Sequence, residues 1–206
     1  MPRSDYPLGV RLRLRLSRTL FRMGVYPHSY RLVGFPGGRI YLDRGESHHM
    51  VQRSMGVYEY WKTSLFRRTV RPGMTVVDAG VNKGYFSLLS AHLMGDDGRV
   101  LSFGPEPEYC RGIEKSIAAN GYGSVKLFPV ALSDENGKTT FYPGVRSGWG
   151  GIFSYAPGRS GERKPFRVRT RRLDDLLREE GISRVDVMKV DVQGADLMVL
   201  RGPPRT

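Results

Sequence analysis

Small and polar residues recur at every second position between Val77 and Tyr85, at Asp78, Gly80, Asn82 and Gly84. The apolar residues before this segment predict a strand, and those after it predict a helix. Glycine allows a ligand to approach the backbone closely, and a helix N-terminus presents N–H groups with a partial positive charge. In a parallel sheet such a turn lies at the carboxyl edge, where ligands bind. A tight turn that binds no ligand remains an alternative for these residues alone.

Phosphate and metal chemistry find little support in the sequence. The turn matches neither the G-x-G-x-x-G pattern nor the Walker A pattern of phosphate-binding loops. Cys110 is the single cysteine, which excludes a disulfide framework and a cysteine-based zinc site, and it fits a cytoplasmic location. His48 and His49 are adjacent, so on a helix their side chains point about 100° apart. We therefore expect no metal site.

Positive charge is concentrated in the N-terminal third of the chain. Lys and Arg number 33 against 20 Asp and Glu, which gives a net charge of +13. The first 72 residues contain 14 of the basic residues and 4 of the acidic ones. Such a segment attracts phosphate-rich partners such as nucleic acid or anionic lipid, or it only keeps the chain soluble. No nucleic-acid-binding motif accompanies it, so we expect no specific nucleic acid partner.

Residues 10–23 predict a basic amphipathic helix, for which we expect weak contact with an anionic membrane surface. Leu12, Leu16 and Leu20 recur at helical spacing, and both Arg and Leu favour helices. The alternation of Arg and Leu at the start of the segment also suits a half-buried strand. The Arg-rich, acid-poor composition leaves an organellar transit peptide as a further alternative. No apolar run is long enough for a secretory signal or a membrane span.

Alternating strand and helix patterns predict a mostly parallel α/β sheet with helices on both faces. The predicted strands are residues 75–80, 99–103, 125–130 and 185–191, with the first and last of them adjacent in the sheet. The predicted helices are residues 85–94, 108–120, 173–180 and 195–201. A hairpin is expected over residues 30–43, a helix over 46–70, and a second hairpin joining 139–142 to 166–170.

Five segments follow one another in a fixed order: DAGVNKGYFS (78–87), VLSFGPEPE (100–108), VALSD (130–134), RLDDL (172–176) and KVDVQGAD (189–196). This series resembles the FkbM-type family of S-adenosylmethionine-dependent methyltransferases. The resemblance covers residues 40–202 and depends on the whole series rather than on one short motif. It implies a class I, Rossmann-like methyltransferase domain over residues 40–206, preceded by a basic segment over residues 1–39.

The resemblance also implies where S-adenosyl-L-methionine would bind. The turn formed by Asp78, Gly80, Asn82 and Gly84 would hold the methionine end of the cofactor, with Asn82 near its ammonium and carboxylate groups and Asp78 acting partly through ordered water. The remaining implied contacts are Pro105 at the ribose and Ala131 and Leu132 at the adenine.

The implied reaction is O-methylation of a small molecule or a glycan. Asp191 would face the methyl group and the acceptor hydroxyl, and it is the first candidate for the catalytic base. Tyr85 and Trp149 are candidate walls of the acceptor pocket, with ordinary packing as the alternative. Arg167 and Arg169 share one face of a predicted strand and would steer an anionic substrate, unless they form only a solvated surface.

This chain departs from the family pattern at three places. Gly104 stands where the family usually has a glutamate that binds both ribose hydroxyls, and we expect Glu106 to point elsewhere. Gln193 and Asp196 replace two glutamates after the fourth strand. The chain also ends soon after that strand, so the later strands of the full fold are expected to be missing.

The departures support an alternative function. The chain would then be a non-catalytic, truncated remnant that acts as a binding or scaffold protein, or a gene fragment. Under either interpretation the strand over residues 185–191 would form an open, apolar sheet edge, because no later strand covers it. We therefore expect self-association through that strand.

Overall fold

A computed structural model of the chain describes residues 5–23, 31–42, 52–53, 55–144, 150–153 and 164–201. The strands in these ranges are β1 (Arg31–Phe35), β2 (Gly38–Leu42), β3 (Thr75–Ala79), β4 (Arg99–Phe103), β5 (Val125–Phe128), β6 (Ala131–Leu132), β7 (Gly137–Phe141), β8 (Phe166–Arg171) and β9 (Val187–Val190). The α-helices there are α1 (Leu8–Arg22), α2 (Tyr60–Thr69), α3 (Tyr85–Met94), α4 (Pro107–Asn120), α5 (Leu173–Glu179) and α6 (Asp196–Leu200).

The central sheet has the strand order β5-β4-β3-β9, and all of its pairings are parallel. The predicted adjacency of the first and last of these strands is confirmed, since Asp78 on β3 lies opposite Lys189 on β9 and Ser102 on β4. This register brings the ends of three strands together at the carboxyl edge of the sheet.

Helices cover both faces of this sheet, as the sequence predicts. Alternate residues of β3 point to opposite sides because side chains in a strand alternate between faces. Val76 belongs to one buried cluster together with Leu88 and Leu89 of α3. Val77 belongs to the other, together with Leu173 and Leu176 of α5. Both clusters contain apolar side chains from adjacent strands. A shift of one residue in the strand pairing would move these side chains to the opposite face of the sheet, so their burial favours the observed register.

The boundaries of the helices beside the site follow local sequence signals. Gly84 precedes α3 with a φ of 86°, and Gly95 follows it with a φ of 65°, a conformation that glycine adopts without strain. Pro107 opens α4, where its missing N–H costs nothing, and Gly121 ends it with a φ of 67°. The predicted helices at 85–94 and 108–120 are thus confirmed to within one residue.

Two antiparallel hairpins flank the central sheet, and both were predicted. β1 pairs with β2, and β7 pairs with β8, which also pairs with β6 in a separate three-stranded sheet. The Asn120 side chain and the Ser116 hydroxyl of α4 accept hydrogen bonds from the β2 backbone at Arg39 and Tyr41, at 2.7 and 2.9 Å. The segment expected over residues 1–39 includes the start of this hairpin, and its division from the domain at residue 40 stays a prediction.

The segment before β3 is less helical than the sequence suggests. The described part of the predicted helix over residues 46–70 consists of the helical residues 52–53, a turn and α2, while residues 43–51 and 54 lie outside the described ranges. At its other end α2 stops before Val70, which is extended and leads into the Arg71–Met74 break. The predicted helix over residues 10–23 is confirmed as α1.

Two further expectations concern the edge of the central sheet and the length of the helices. Among the described residues β9 pairs with β3 alone, so it is an edge strand of the central sheet as these residues form it. Self-association through it stays a prediction. Among the residues that the structure describes, no helix combines the length and apolar character needed to cross a membrane.

Candidate functional site

A cavity opens at the carboxyl edge of the central sheet, where β3, β4 and β9 end. Its walls bring together six of the eight residues singled out from the sequence: Gly80, Asn82, Pro105, Ala131, Leu132 and Asp191. The other two, Asp78 and Gly84, lie beside the cavity and do not line it. The sequence-derived site is therefore assembled in space from four separate parts of the chain.

The turn after β3 has a shape that depends on its glycines. Gly80 has a φ of 85°, and a Cβ built on it would lie 2.0 Å from the carbonyl oxygen of Asp191. Gly84 has a φ of 86°, and its Cβ would lie 3.0 Å from Ile113 of α4. Asn82 is also left-handed, with a φ of 48°. Glycine at 80 thus lets the β3 turn and the end of β9 touch, which closes the floor of the cavity.

Asp78 is held by a buried network rather than by the cavity. Its Oδ1 accepts a hydrogen bond from Lys189 Nζ at 2.9 Å, and its Oδ2 accepts one from Ser87 Oγ at 2.7 Å. Lys189 Nζ also donates to the carbonyl oxygen of Gly80 at 3.0 Å, and Ser102 Oγ donates to Ser87 Oγ at 2.8 Å. The side chains of Asp78 and Lys189 are only 1% and 8% exposed. This network fixes the start of the turn, and a cofactor role for Asp78 stays a prediction.

Gly104, at the end of β4, faces the side chain of Val81. A Cβ built on Gly104 would lie 2.6 Å from Val81 Cγ1, so valine occupies the space next to this glycine. Glu106, two residues further on, lines the same cavity and is 8% exposed. Glu106 therefore lies beside the cavity, and the expectation that its carboxylate points elsewhere stays a prediction. Both Gly104 and Glu106 thus belong to the same wall of the cavity.

Cys110 lines the cavity from the first turns of α4. Its Sγ donates to the carbonyl oxygen of Gly104 at 3.2 Å. Burial, followed by the nearby charges of Glu114 and Glu106, raises the pKa of the Cys110 thiol to about 11. The thiol is therefore neutral at physiological pH, where a neutral thiol is a poor nucleophile.

Asp191 lies at the end of β9 with one neighbour on each carboxylate oxygen. Gln193 Nε2 donates to Oδ1 at 3.0 Å, and Lys62 Nζ lies 3.4 Å from Oδ2. Lys62 also forms an ion pair with Glu59. Burial lowers the pKa of Lys62, but hydrogen bonds and charge from Glu59 and Asp191 outweigh it and raise the pKa overall. Lys62 is therefore a protonated donor at neutral pH.

Sequence patterns did not identify Lys62 as a site residue. It lies 129 positions before Asp191 and on α2, outside the alternating strand and helix pattern. Lys189 is the second lysine that the sequence analysis missed. Its one available signal is its charge inside an otherwise apolar, half-buried strand. A charge in that position requires a buried partner, and the parallel register supplies Asp78.

The structure describes some, but not all, of the residues that were candidates for contact with the acceptor. Tyr85 is buried in the core, with its ring 5.1 Å from that of Phe35 and 5.0 Å from that of Tyr58, so ordinary packing is confirmed. Trp149, like the histidine pair 48–49, lies outside the described residues. Arg167 is exposed on β8 and donates to Thr140 Oγ1 and the Lys138 carbonyl oxygen, as a hairpin surface residue does.

Known proteins resemble this chain over much of its length. A family model described as the methyltransferase FkbM domain matches residues 78–206. The chain is 32% identical over 166 residues to the AMB antimetabolite synthetase AmbE of Pseudomonas aeruginosa, which covers 64% of this chain and 8% of AmbE. It is 28% identical over 148 residues to the 2-O-methyltransferase NoeI of Sinorhizobium fredii, which covers 66% of this chain and 60% of NoeI.

A solved structure with the same family name is also similar. The FkbM methyltransferase of Methylobacillus flagellatus KT superposes with a TM-score of 0.41 and 11% identity, over 95% of this chain and 45% of that one. The chain spans about three fifths of NoeI and a small part of AmbE. The family match covers more than half of the chain and begins at Asp78, the strand-end acid of the turn described above. The chain therefore belongs to the FkbM methyltransferase family.

Proposed function

We propose that this chain is an S-adenosylmethionine-dependent methyltransferase that methylates a hydroxyl group of a small molecule or a glycan. The observation that carries the proposal is the cavity at the carboxyl edge of β3, β4 and β9, which gathers six predicted site residues. Membership of the FkbM family supports methyl transfer. The name of NoeI, a 2-O-methyltransferase, supports oxygen as the acceptor atom.

The cavity walls fit the parts of the cofactor in order. The turn at Asn82 offers a polar side chain and backbone for the amino acid end. Glu106 offers a carboxylate, which accepts hydrogen bonds from ribose hydroxyls. Ala131 and Leu132 are apolar and buried, and they suit the flat face of an adenine ring. A side chain at Gly80 would meet the Asp191 backbone, so only glycine leaves the floor in its observed shape.

The bound cofactor would supply an already activated methyl group on its sulfonium sulfur. The chain's own residues then have two tasks, which are to align the acceptor hydroxyl and to take its proton. We assign the second task to Asp191, the acidic residue at the end of β9. A carboxylate has about four acceptor positions, and Lys62 and Gln193 occupy one on each oxygen. Positions therefore remain on Asp191 for an acceptor hydroxyl.

Lys62 and Gln193 act as positioning residues in this scheme. Each holds one carboxylate oxygen of Asp191, so together they restrict its rotation. The ammonium group of Lys62 lies 3.4 Å from Oδ2 of Asp191 and so restrains that oxygen. The amide of Gln193 donates a hydrogen bond, which a glutamate in the same place would do only in its protonated form.

A second candidate function, a non-catalytic binding protein, is favoured by one observation. Val81 fills the space beside Gly104, so the cofactor wall lacks the usual glutamate and also the room for it. If Glu106 does not replace that glutamate, cofactor binding is weak and catalysis slow. The two functions make different predictions for methyl transfer.

The experiment that separates them measures transfer of tritiated methyl from S-adenosylmethionine to a panel of oligosaccharides and small hydroxyl compounds. We expect transfer by the wild type and a fall of about 100-fold or more in Asp191→Asn, the scale of general base catalysis. Cofactor binding should persist in Asp191→Asn. Asp97→Asn, at an exposed acid remote from the cavity, is the matched control and should keep full activity. Cofactor binding without transfer to any compound of the panel would favour the binding protein.

A further inference from the structure

Helix α1 exposes a row of leucines to solvent. Leu8, Leu12 and Leu16 are 64%, 54% and 50% exposed, and they follow one another at four-residue intervals on one face of the helix. Met23, just past the end of the helix, is 69% exposed. Single exposed apolar residues are common on protein surfaces, but a continuous row along one helix indicates a contact surface.

The opposite face of α1 is the one that packs on the protein. Ser17 is completely buried, and Val10 and Leu14 are partly buried. Just before the helix, the ring of Tyr6 lies 5.8 Å from those of Tyr60 and Trp61 at the start of α2. These contacts fix which side of α1 faces the protein. The leucine row therefore faces outward in the folded chain and is not a core face that happens to be uncovered.

Positive charge borders the leucine row. Helix α1 contains Arg11, Arg13, Arg15, Arg18 and Arg22, and its sequence has no acidic residue. Arg11, Arg15 and Arg22 are exposed, and helical spacing places them along one border of the row. An exposed apolar row bordered by arginines is typical of helices that lie in the plane of a membrane surface.

We propose that α1 docks on an anionic lipid bilayer, with its leucine row at the boundary of the acyl chains and its arginines on the lipid phosphates. The two features of the helix favour lipid over RNA, because an RNA backbone would use the arginines and leave the leucines in water. The docking places the helix in the membrane plane. It does not depend on methyl transfer, because no residue of the cavity takes part.

The test uses the full chain and flotation with vesicles of phosphatidylcholine, with or without one third of phosphatidylglycerol. We expect binding to the anionic vesicles, weaker binding at high salt, and little binding to phosphatidylcholine alone. Arg11→Gln/Arg15→Gln should lose about fivefold in affinity for each arginine. Leu12→Gln/Leu16→Gln should lose about tenfold or more, because the apolar contribution disappears.

The matched control is Arg167→Gln/Arg169→Gln, which removes the same charge from the exposed face of β8. It should bind vesicles like the wild type, and circular dichroism should show that all variants keep their helix. Equal binding to neutral and anionic vesicles would overturn the proposal. A loss of vesicle affinity in the control as large as that in the α1 variants would also overturn it. So would a third outcome, in which an RNA oligonucleotide competes with the vesicles and Leu12→Gln/Leu16→Gln binds RNA and vesicles as well as the wild type does.

Discussion

Val81 and Gly104 form a complementary pair at the wall of the cavity, because Cγ1 of Val81 lies 2.6 Å from the position that a Cβ at Gly104 would take. Val81 is 5% exposed and lies in the turn after β3, while Gly104 directly follows β4. The valine cannot move away easily, since it is branched at Cβ and closely packed. The side chain of Val81 thus occupies space that a side chain at position 104 would need.

This pairing predicts that a glutamate is accepted at position 104 only with a smaller neighbour. Gly104→Glu alone should lower the free energy of unfolding by about 1–3 kcal/mol, as overpacking does, without tighter cofactor binding. Val81→Ala/Gly104→Glu should bind S-adenosylmethionine about tenfold more tightly than Val81→Ala, because a carboxylate accepts the ribose hydroxyls. Calorimetry and urea unfolding measure both effects. Equal affinity in the double variant and Val81→Ala would show that position 104 does not face the ribose.

A second prediction concerns Glu106, which lines the cavity beside Gly104. If it binds the ribose hydroxyls, Glu106→Gln should weaken S-adenosylmethionine binding by about tenfold or more, the scale of a charged hydrogen bond. The loss should shrink for a cofactor analogue without ribose hydroxyls. Glu108→Gln is the matched control, because Glu108 is exposed on the same turn of α4 and should bind like the wild type. A similar loss in both variants would point to a general charge effect and remove Glu106 from the site.

The buried pair of Asp78 and Lys189 predicts a large stability effect. Lys189→Met leaves the Asp78 carboxylate buried without its cation, which should lower the free energy of unfolding by about 3–5 kcal/mol. Asp78→Asn/Lys189→Met removes both charges and should recover most of that loss. Urea unfolding followed by circular dichroism measures the three proteins. If the double variant were no more stable than Lys189→Met, the contact would not be an energetically coupled pair.

Cys110 provides a pH-dependent reporter of the cavity. Its pKa is raised from 9.0 to about 11, so at pH 8 the folded thiol is almost entirely protonated. Alkylation by iodoacetamide should therefore be slow at pH 8 and accelerate only as the pH approaches 11, whereas the urea-unfolded chain should react with the profile of an ordinary thiol. S-Adenosylhomocysteine should slow the folded reaction further, because Cys110 lines the cavity. Fast alkylation of the folded chain at pH 8 would show that the thiol is not buried as described.

Sequence patterns were sufficient for the parts of the fold that depend on local signals. The apolar strand before Asp78, the glycines around it and the proline at the start of α4 all predict elements that the structure contains. The resemblance to a family added the order in which those elements meet at the cavity. Six of its eight implied site residues line one cavity for that reason.

The missed features depend on contacts between distant parts of the chain. Lys62 reaches Asp191 from a helix outside the α/β repeat, and Lys189 reaches Asp78 across a parallel pairing. Lys62 has no local sequence signal, and the charge of Lys189 within an apolar strand indicates a partner without identifying Asp78. The expectation for Glu106 extended strand alternation past the end of β4, although Glu106 directly precedes α4 and lines the cavity. The fit of Val81 against Gly104 is a matter of side-chain volume, which only the folded chain reveals.

Binding of S-adenosylmethionine to the wild-type chain tests the central claim most directly. Isothermal titration calorimetry of the 206-residue chain, confirmed as folded by circular dichroism, should give one-to-one binding with a micromolar dissociation constant. S-Adenosylhomocysteine should compete for the same site. A folded chain that gives no binding heat with either ligand, and no protection of Cys110, would contradict the assignment of the cavity as a cofactor site.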